Sequence, residues 1–135
     1  TSGDSKMRRK YAYEWSYYES ARMYLVSSSE KDLRKNILSG PFVSLAVIEA
    51  HYIRNLAFFK DGYILKNVYR IARVPISIIH GRYDDVCPVE NAIRLHRALP
   101  TSKLHIVVAG HSRTDAEILK KLVSETDMMI SNLKK

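Results

Sequence analysis

The sequence has a single cysteine, no long apolar run, no histidine-rich metal motif and no serine set between small residues in the pattern G-x-S-x-G. Each absence excludes something. With Cys87 alone there can be no internal disulfide framework, which fits a reducing compartment, so the expected location is cytoplasmic. The N-terminal Thr1-Ser2-Gly3-Asp4-Ser5 carries no apolar export core, and nothing approaches the roughly 20 apolar residues needed to cross a bilayer, so no membrane partner is expected. Without H-E-x-x-H or paired Cys/His spacing, no metal and no organic cofactor is expected.

What is present is enough for a globular domain: 135 residues with 46% hydrophobic content. The net charge of +8 is scattered. Its only tight cluster is Lys6, Arg8, Arg9 and Lys10, and elsewhere basic residues sit beside acids, as in Glu30-Lys31-Asp32-Leu33-Arg34-Lys35. No aromatic-basic ribonucleoprotein motif accompanies it, so the charge reads as a solvated surface and no nucleic acid is expected as a partner.

Two rhythms divide the chain into residues 1–72 and 73–135. The first part is helical. Tyr11, Trp15, Tyr18, Glu19, Arg22 and Met23 recur at three and four residues, and a second stripe runs Leu45, Glu49, Tyr52, Leu56. Ser27-Ser28-Ser29-Glu30 is a polar break, and Ser39-Gly40-Pro41 marks a helix start. After Pro75 the pattern becomes strand (76–79), helix opened near Pro88 with Ala92, Leu95 and Leu99 inward, strand (104–108), and a last helix with Ile118, Leu119, Leu122, Met129, Ile130 and Leu133 on one face. This is the βαβ pattern of a parallel sheet. Two parallel strands do not stand as a sheet by themselves, so the chain is expected to be the C-terminal part of a longer α/β protein, partnered by the missing N-terminal part.

Chemistry-bearing residues follow both strands: Ile79-His80-Gly81-Arg82-Tyr83-Asp84-Asp85 after the first, Val108-Ala109-Gly110-His111-Ser112 after the second. In open parallel sheets the loops at the carboxyl ends aim side chains into a common crevice. Asp84 and His111 are the candidate acid and base of a triad in the chain order Ser, Asp, His, with Asp85 as the competing acid. The plain alternative makes Asp84 a turn former or helix cap and His111 a loop residue. Glu49 and Glu19 lie on apolar stripes, where a carboxylate costs several kcal/mol unless it meets a cation or hydrogen-bond donors. An ion pair with an arginine such as Arg22 or Arg54 and the binding of a protonated amine both answer that need.

The run His80-Gly81-Arg82-Tyr83-Asp84 with Cys87-Pro88, followed by Ala109-Gly110-His111-Ser112, closely resembles the prolyl aminopeptidases (proline iminopeptidases), serine peptidases of the α/β-hydrolase fold. Trp15-Ser16-Tyr17-Tyr18-Glu19 and Glu49-Ala50-His51-Tyr52-Ile53 are similar to that family's W-x-x-W-E and E-x-H-Y-F motifs, with Tyr18 and Ile53 replacing an aromatic each. The resemblance implies the last two strands and helices of an α/β-hydrolase with part of a helical cap. It implies that Asp84 and His111 are catalytic, that Asp85 is a bystander, and that Glu19 and Glu49 bind the charged nitrogen of a peptide substrate with N-terminal proline. The 135 residues would be inactive alone, lacking the nucleophile turn. An esterase or epoxide hydrolase of the same fold, a Cys87 nucleophile, and a non-catalytic interaction module are the other readings.

Overall fold

Helix boundaries in the first part follow its capping residues. In the computed structural model, which describes residues 4–133, the Asp4 carboxylate accepts from the Lys6 and Met7 amides and opens α1 (Ser5–Arg22). Ser29 caps α2 (Glu30–Ser39) by accepting from the Asp32 amide, with Glu30 and Asp32 complementing the helix dipole. The Gly40 amide closes α2 on Ile37, and Pro41 precedes α3 (Phe42–Arg54). Thr1 to Gly3, part of the stretch read above for export signals, and the Leu133 side chain lie outside the described residues.

The chain forms two compact units. The first comprises residues up to Arg22 together with Val26–Asp61. Its core is Ala12, Ile37, Phe42 and Ala46, with Tyr13, Tyr17 and Val43 packed against it. Small Ala12 and Ala46 let α1 and α3 approach, and Phe42 meets the Tyr13 ring edge-on. The buried stripes are therefore turned by about one residue from those expected. Tyr11 is 63% exposed and Leu45 52%, while Ala12, Tyr13 and Tyr17 on α1 and Phe42, Val43 and Ala46 on α3 face inward. The second expected stripe also ends early. α3 stops at Arg54, and Leu56, Ala57 and Phe58 take left-handed backbone angles (φ 50°, 51° and 61°) in a tight turn.

The second unit comprises Met23–Leu25 and residues from Gly62 onward. The sequence changes rhythm at residue 73, whereas in space the short helix α4 (Tyr63–Asn67) and the turn Val68–Ile71 already go with this unit. Strands β1 (Ser77–Gly81) and β2 (Lys103–Val107) pair in parallel from Ser77 opposite Lys103 to Gly81 opposite Val107. α5 (Val89–Ala98) crosses between them, and α6 (Ala116–Leu133) follows. The mixed α/β class expected from the sequence is observed, in an order that fits the C-terminal part of an α/β-hydrolase. β1 runs on through His80 and Gly81, two residues past its apolar run, because the backbone of the following turn is still laced to β2's exit: the Arg82 amide donates to the Val107 carbonyl.

α5 buries Ala92 and seats the adjoining Leu99, as read from the sequence. α6 differs. Leu119, Leu122 and Ile130 are exposed, and the inward stripe is Ile118, Glu125 and half-buried Met129. Apolar periodicity could not reveal Glu125, whose carboxylate accepts from the Ser77 hydroxyl at 2.7 Å and lies 3.0 Å from His105 Nε2 and 3.7 Å from Lys103 Nζ. The Ser77 hydrogen bond, against the opposing effect of burial and with help from His105, Lys103 and Lys121, holds this carboxyl below its ordinary range. Among the described residues no single helix is long and apolar enough to cross a membrane.

The left-handed turn after α3 carries a testable cost, since a non-glycine residue there loses roughly 1–2 kcal/mol to Cβ–carbonyl crowding. Ala57→Gly relieves it at about 0.5–1 kcal/mol of added chain entropy. The variant should melt at an equal or slightly higher temperature in calorimetry, unlike a glycine placed within α3; a clear drop would contradict the turn geometry.

Candidate active site

Asp84 and His111 stand in the two loops that leave the carboxyl ends of β1 and β2. The loops are drawn together by backbone contacts: the Tyr83 amide donates to the Ala109 carbonyl at 3.0 Å, and the Asp84 amide reaches back to the Gly81 carbonyl. Gly81 has no alternative here. A Cβ at that position would lie 1.9 Å from the Gly110 carbonyl oxygen and 2.6 Å from that of Ala109.

The Asp84 side chain is only 5% exposed, so its charge must be met by donors. Oδ1 accepts from the amides of Val86 (3.0 Å) and Cys87 (2.7 Å). Oδ2 lies 3.0 Å from His111 Nδ1 and 3.3 Å from His80 Nε2. The turn-former and acid–base readings of Asp84 are thus not alternatives, because one carboxylate oxygen holds the turn and the other faces the imidazole. Burial raises the pKa of this carboxyl, but the Cys87 amide, the His111 side chain and the Val86 amide outweigh it and hold the group below its ordinary value. Asp84 is accordingly ionised at neutral pH. A carboxylate can only accept, so His111 donates through Nδ1 and keeps Nε2 as the proton-accepting nitrogen. The His111 side chain is 34% exposed and so open to a reactant.

It is Asp84 that meets His111, while the competing Asp85 is an exposed residue of the same turn. At Cys87 partial burial, and then the charge of Asp84, push the thiol up, opposite to what a thiolate nucleophile needs.

The backbone of the histidine loop has supports that sequence reasoning missed. The amides of His111 and Ser112 both donate to the Met23 carbonyl at 2.8 Å, and Asp115 Oδ2 accepts from the Gly110 amide at 2.6 Å and from the Leu25 amide at 3.3 Å. A Cβ on Gly110 would come within 2.9 Å of the Met23 carbonyl oxygen. These contacts explain why Met23–Leu25 belongs to the second unit. Asp115 was legible only as a residue before α6, and nothing local marks Met23.

Glu19 and Glu49 lie in the first unit, half-buried on α1 and α3. The partner of Glu49 is Trp15, whose indole nitrogen donates to Oε2 at 2.9 Å, and so residues of the two short motifs meet directly. An indole N–H satisfies a lone pair without cancelling the charge, which leaves Glu49 suited to a cation. Arg22 donates to the Tyr18 hydroxyl and stacks on its ring. A cavity of about 440 Å³ opens between α1 and α3, lined by Tyr11, Trp15, Val47, His51 and neighbouring residues, with neither glutamate in its wall.

No family model matches the chain. Over 134 residues it is 40% identical to the probable proline iminopeptidase of Leptolyngbya boryana, covering 97% of this chain and 41% of that protein. The proline iminopeptidases of Xylella fastidiosa (strain Temecula1) and Arabidopsis thaliana are 38% and 35% identical over 133 and 130 residues. The chain is similar to the proline iminopeptidases along nearly its whole length. It spans about two fifths of the length of the bacterial relatives and 34% of the plant one. The resemblance read from His80–Asp84, Gly110–Ser112 and the two cap motifs is borne out by this similarity to proline iminopeptidases along nearly the whole chain.

The lowered pKa of Asp84 has a consequence of definite sign. Its stabilisation is present above the unfolded carboxyl value, 3.8, and is lost as pH falls through the lower folded value. Asp84→Asn should therefore be destabilised relative to the parent at pH 7, with the difference in melting temperature narrowing below about pH 4. A gap independent of pH would show that the Asp84 charge is not held by these donors.

Proposed function

We propose that this chain supplies the acid, the base and the amine-binding carboxylates of a serine-type exopeptidase that releases N-terminal proline from peptides. The observation that carries the reading is the 3.0 Å contact of Asp84 with His111 at the carboxyl ends of two parallel strands, in a chain similar to proteins named proline iminopeptidase.

In this reading His111 Nε2 takes the proton of a serine hydroxyl as the oxygen attacks the carbonyl of the N-terminal proline residue. The same nitrogen then protonates the leaving amine. Asp84, ionised and buried, fixes the imidazole tautomer and stabilises the imidazolium formed in between. The serine belongs on a G-x-S-x-G turn, which the 135 residues do not contain, so the chain is inactive by itself. Glu19 and Glu49 hold the protonated imino nitrogen of the substrate. A charged terminus then becomes the condition for binding, which favours an exopeptidase over an esterase acting on uncharged substrates.

The test is hydrolysis of a chromogenic proline amide by the full-length protein. His111→Ala should lower kcat by a factor on the order of a thousand or more. Glu49→Gln should raise KM by roughly ten- to a hundredfold, in line with the ~1.5–3 kcal/mol of a charged hydrogen bond, and N-acetylation of the substrate should abolish turnover. Equal rates with His111→Ala, or an unchanged KM with Glu49→Gln, would contradict the assignment.

A further inference from the structure

Asp84 Oδ2 is shared by two imidazoles, and the proposed mechanism uses only one of them. The other belongs to His80, on β1, with its side chain 17% exposed. His80 Nε2 lies 3.0 Å from the carbonyl oxygen of Cys87 and 3.3 Å from Asp84 Oδ2. A carbonyl has no proton to give, so Nε2 carries the hydrogen in every protonation state, donating to Cys87 with Asp84 as the longer, second acceptor.

Cys87 is not an arbitrary anchor. Its amide makes the shortest contact to the Asp84 carboxylate, 2.7 Å on Oδ1, and the Val86 amide adds the other. Holding the Cys87 peptide from its carbonyl side therefore holds the donors that aim the carboxylate. Residues 84–87 form a turn closed round Asp84 from within by Oδ1 and from β1 by His80.

We propose that His80 is a positioning residue for the acid–base pair. It locks the 84–87 turn through the Cys87 carbonyl, so that Asp84 Oδ2 is presented to His111 in one orientation. It touches neither substrate nor the transferred proton. The proposal rests on the reading of Asp84 and His111 given above, and it accounts for a histidine placed four residues before the acid, at the last side chain of β1 before Gly81.

The consequence is selective. Removing the His80 donor should loosen the carboxylate without altering the substrate site, and a displacement of about 1 Å at a catalytic group costs on the order of a hundredfold in rate. In the full-length protein His80→Leu should lower kcat on a proline amide by roughly ten- to a hundredfold with KM unchanged. His80→Gln, whose amide N–H reaches about as far as Nε2, should recover most of the loss, and the shorter His80→Asn should not. Hydrogen exchange supplies a readout independent of turnover. Val86 and Cys87 amides should lose protection in His80→Leu and His80→Asn and keep it in His80→Gln, with the β1–β2 amides unchanged in all three.

If His80→Leu fails to fold, the comparison of His80→Asn with His80→Gln decides. Wild-type kcat together with intact Val86 and Cys87 protection in His80→Asn overturns the proposal, as does a loss confined to KM. A wild-type protein with no activity on proline amides would overturn the proposed substrate instead, and the exchange pattern would still support or refute the role of His80.

Discussion

A buried carboxylate in a protein interior must be met by donors or give up its charge, and the ends of the two strands are built around that requirement at Asp84. Its two oxygens divide the work. Oδ1 takes two backbone amides and makes the local turn, and Oδ2 faces His111 and His80. Because the donors outweigh the effect of burial, the group stays ionised, and because it is ionised it dictates which nitrogen of His111 carries the hydrogen. Charge, tautomer and the position of the reactive nitrogen follow from one placement.

That placement depends on how closely the two strand exits approach. Gly81 sits against the carbonyls of Ala109 and Gly110, where a methyl group would overlap them, and Gly110 lies close, though less tightly, against Met23 and Leu25. With the loops so close, backbone hydrogen bonds hold them: Tyr83 to Ala109 on one side, His111 and Ser112 to Met23 on the other. Asp115 completes the arrangement by taking the Gly110 and Leu25 amides on one oxygen. The precision of the Asp84–His111 pair is thus a property of the backbone around it, in line with sites that use rigid elements to orient reactive groups.

The parts of this arrangement that were legible in the sequence are those with a local signal. The β-branched run before Gly81, the mostly apolar run at 104–108 before Gly110 and Pro88 ahead of a helix located the strands and α5 to within two residues or so, and the order Asp84 then His111 placed both residues at neighbouring strand ends. Helix faces were read less well. Tyr11, Trp15 and Tyr18 carry apolar rings with polar edges, so their spacing suggested an inward stripe that belongs to Ala12, Tyr13 and Tyr17, where the small alanine admits α3. Glu125 defeated periodicity because its burial depends on Ser77, His105 and Lys103, far away in the chain. The same holds for Met23, which contributes only a carbonyl and so has no residue type to announce it, and for Trp15, whose role as the donor to Glu49 exists only once α1 and α3 pack.

The central claim is that ionised Asp84 fixes the tautomer of His111 so that Nε2 is the basic nitrogen. Nitrogen-15 NMR of the histidine side chains at neutral pH measures this directly. The account requires the Nδ1–H form for His111, with Nε2 showing the shift of an unprotonated nitrogen, and it requires that form to give way to an averaged mixture in Asp84→Ala. An Nε2–H tautomer in the parent protein, or the same tautomer with and without the carboxylate, would contradict it.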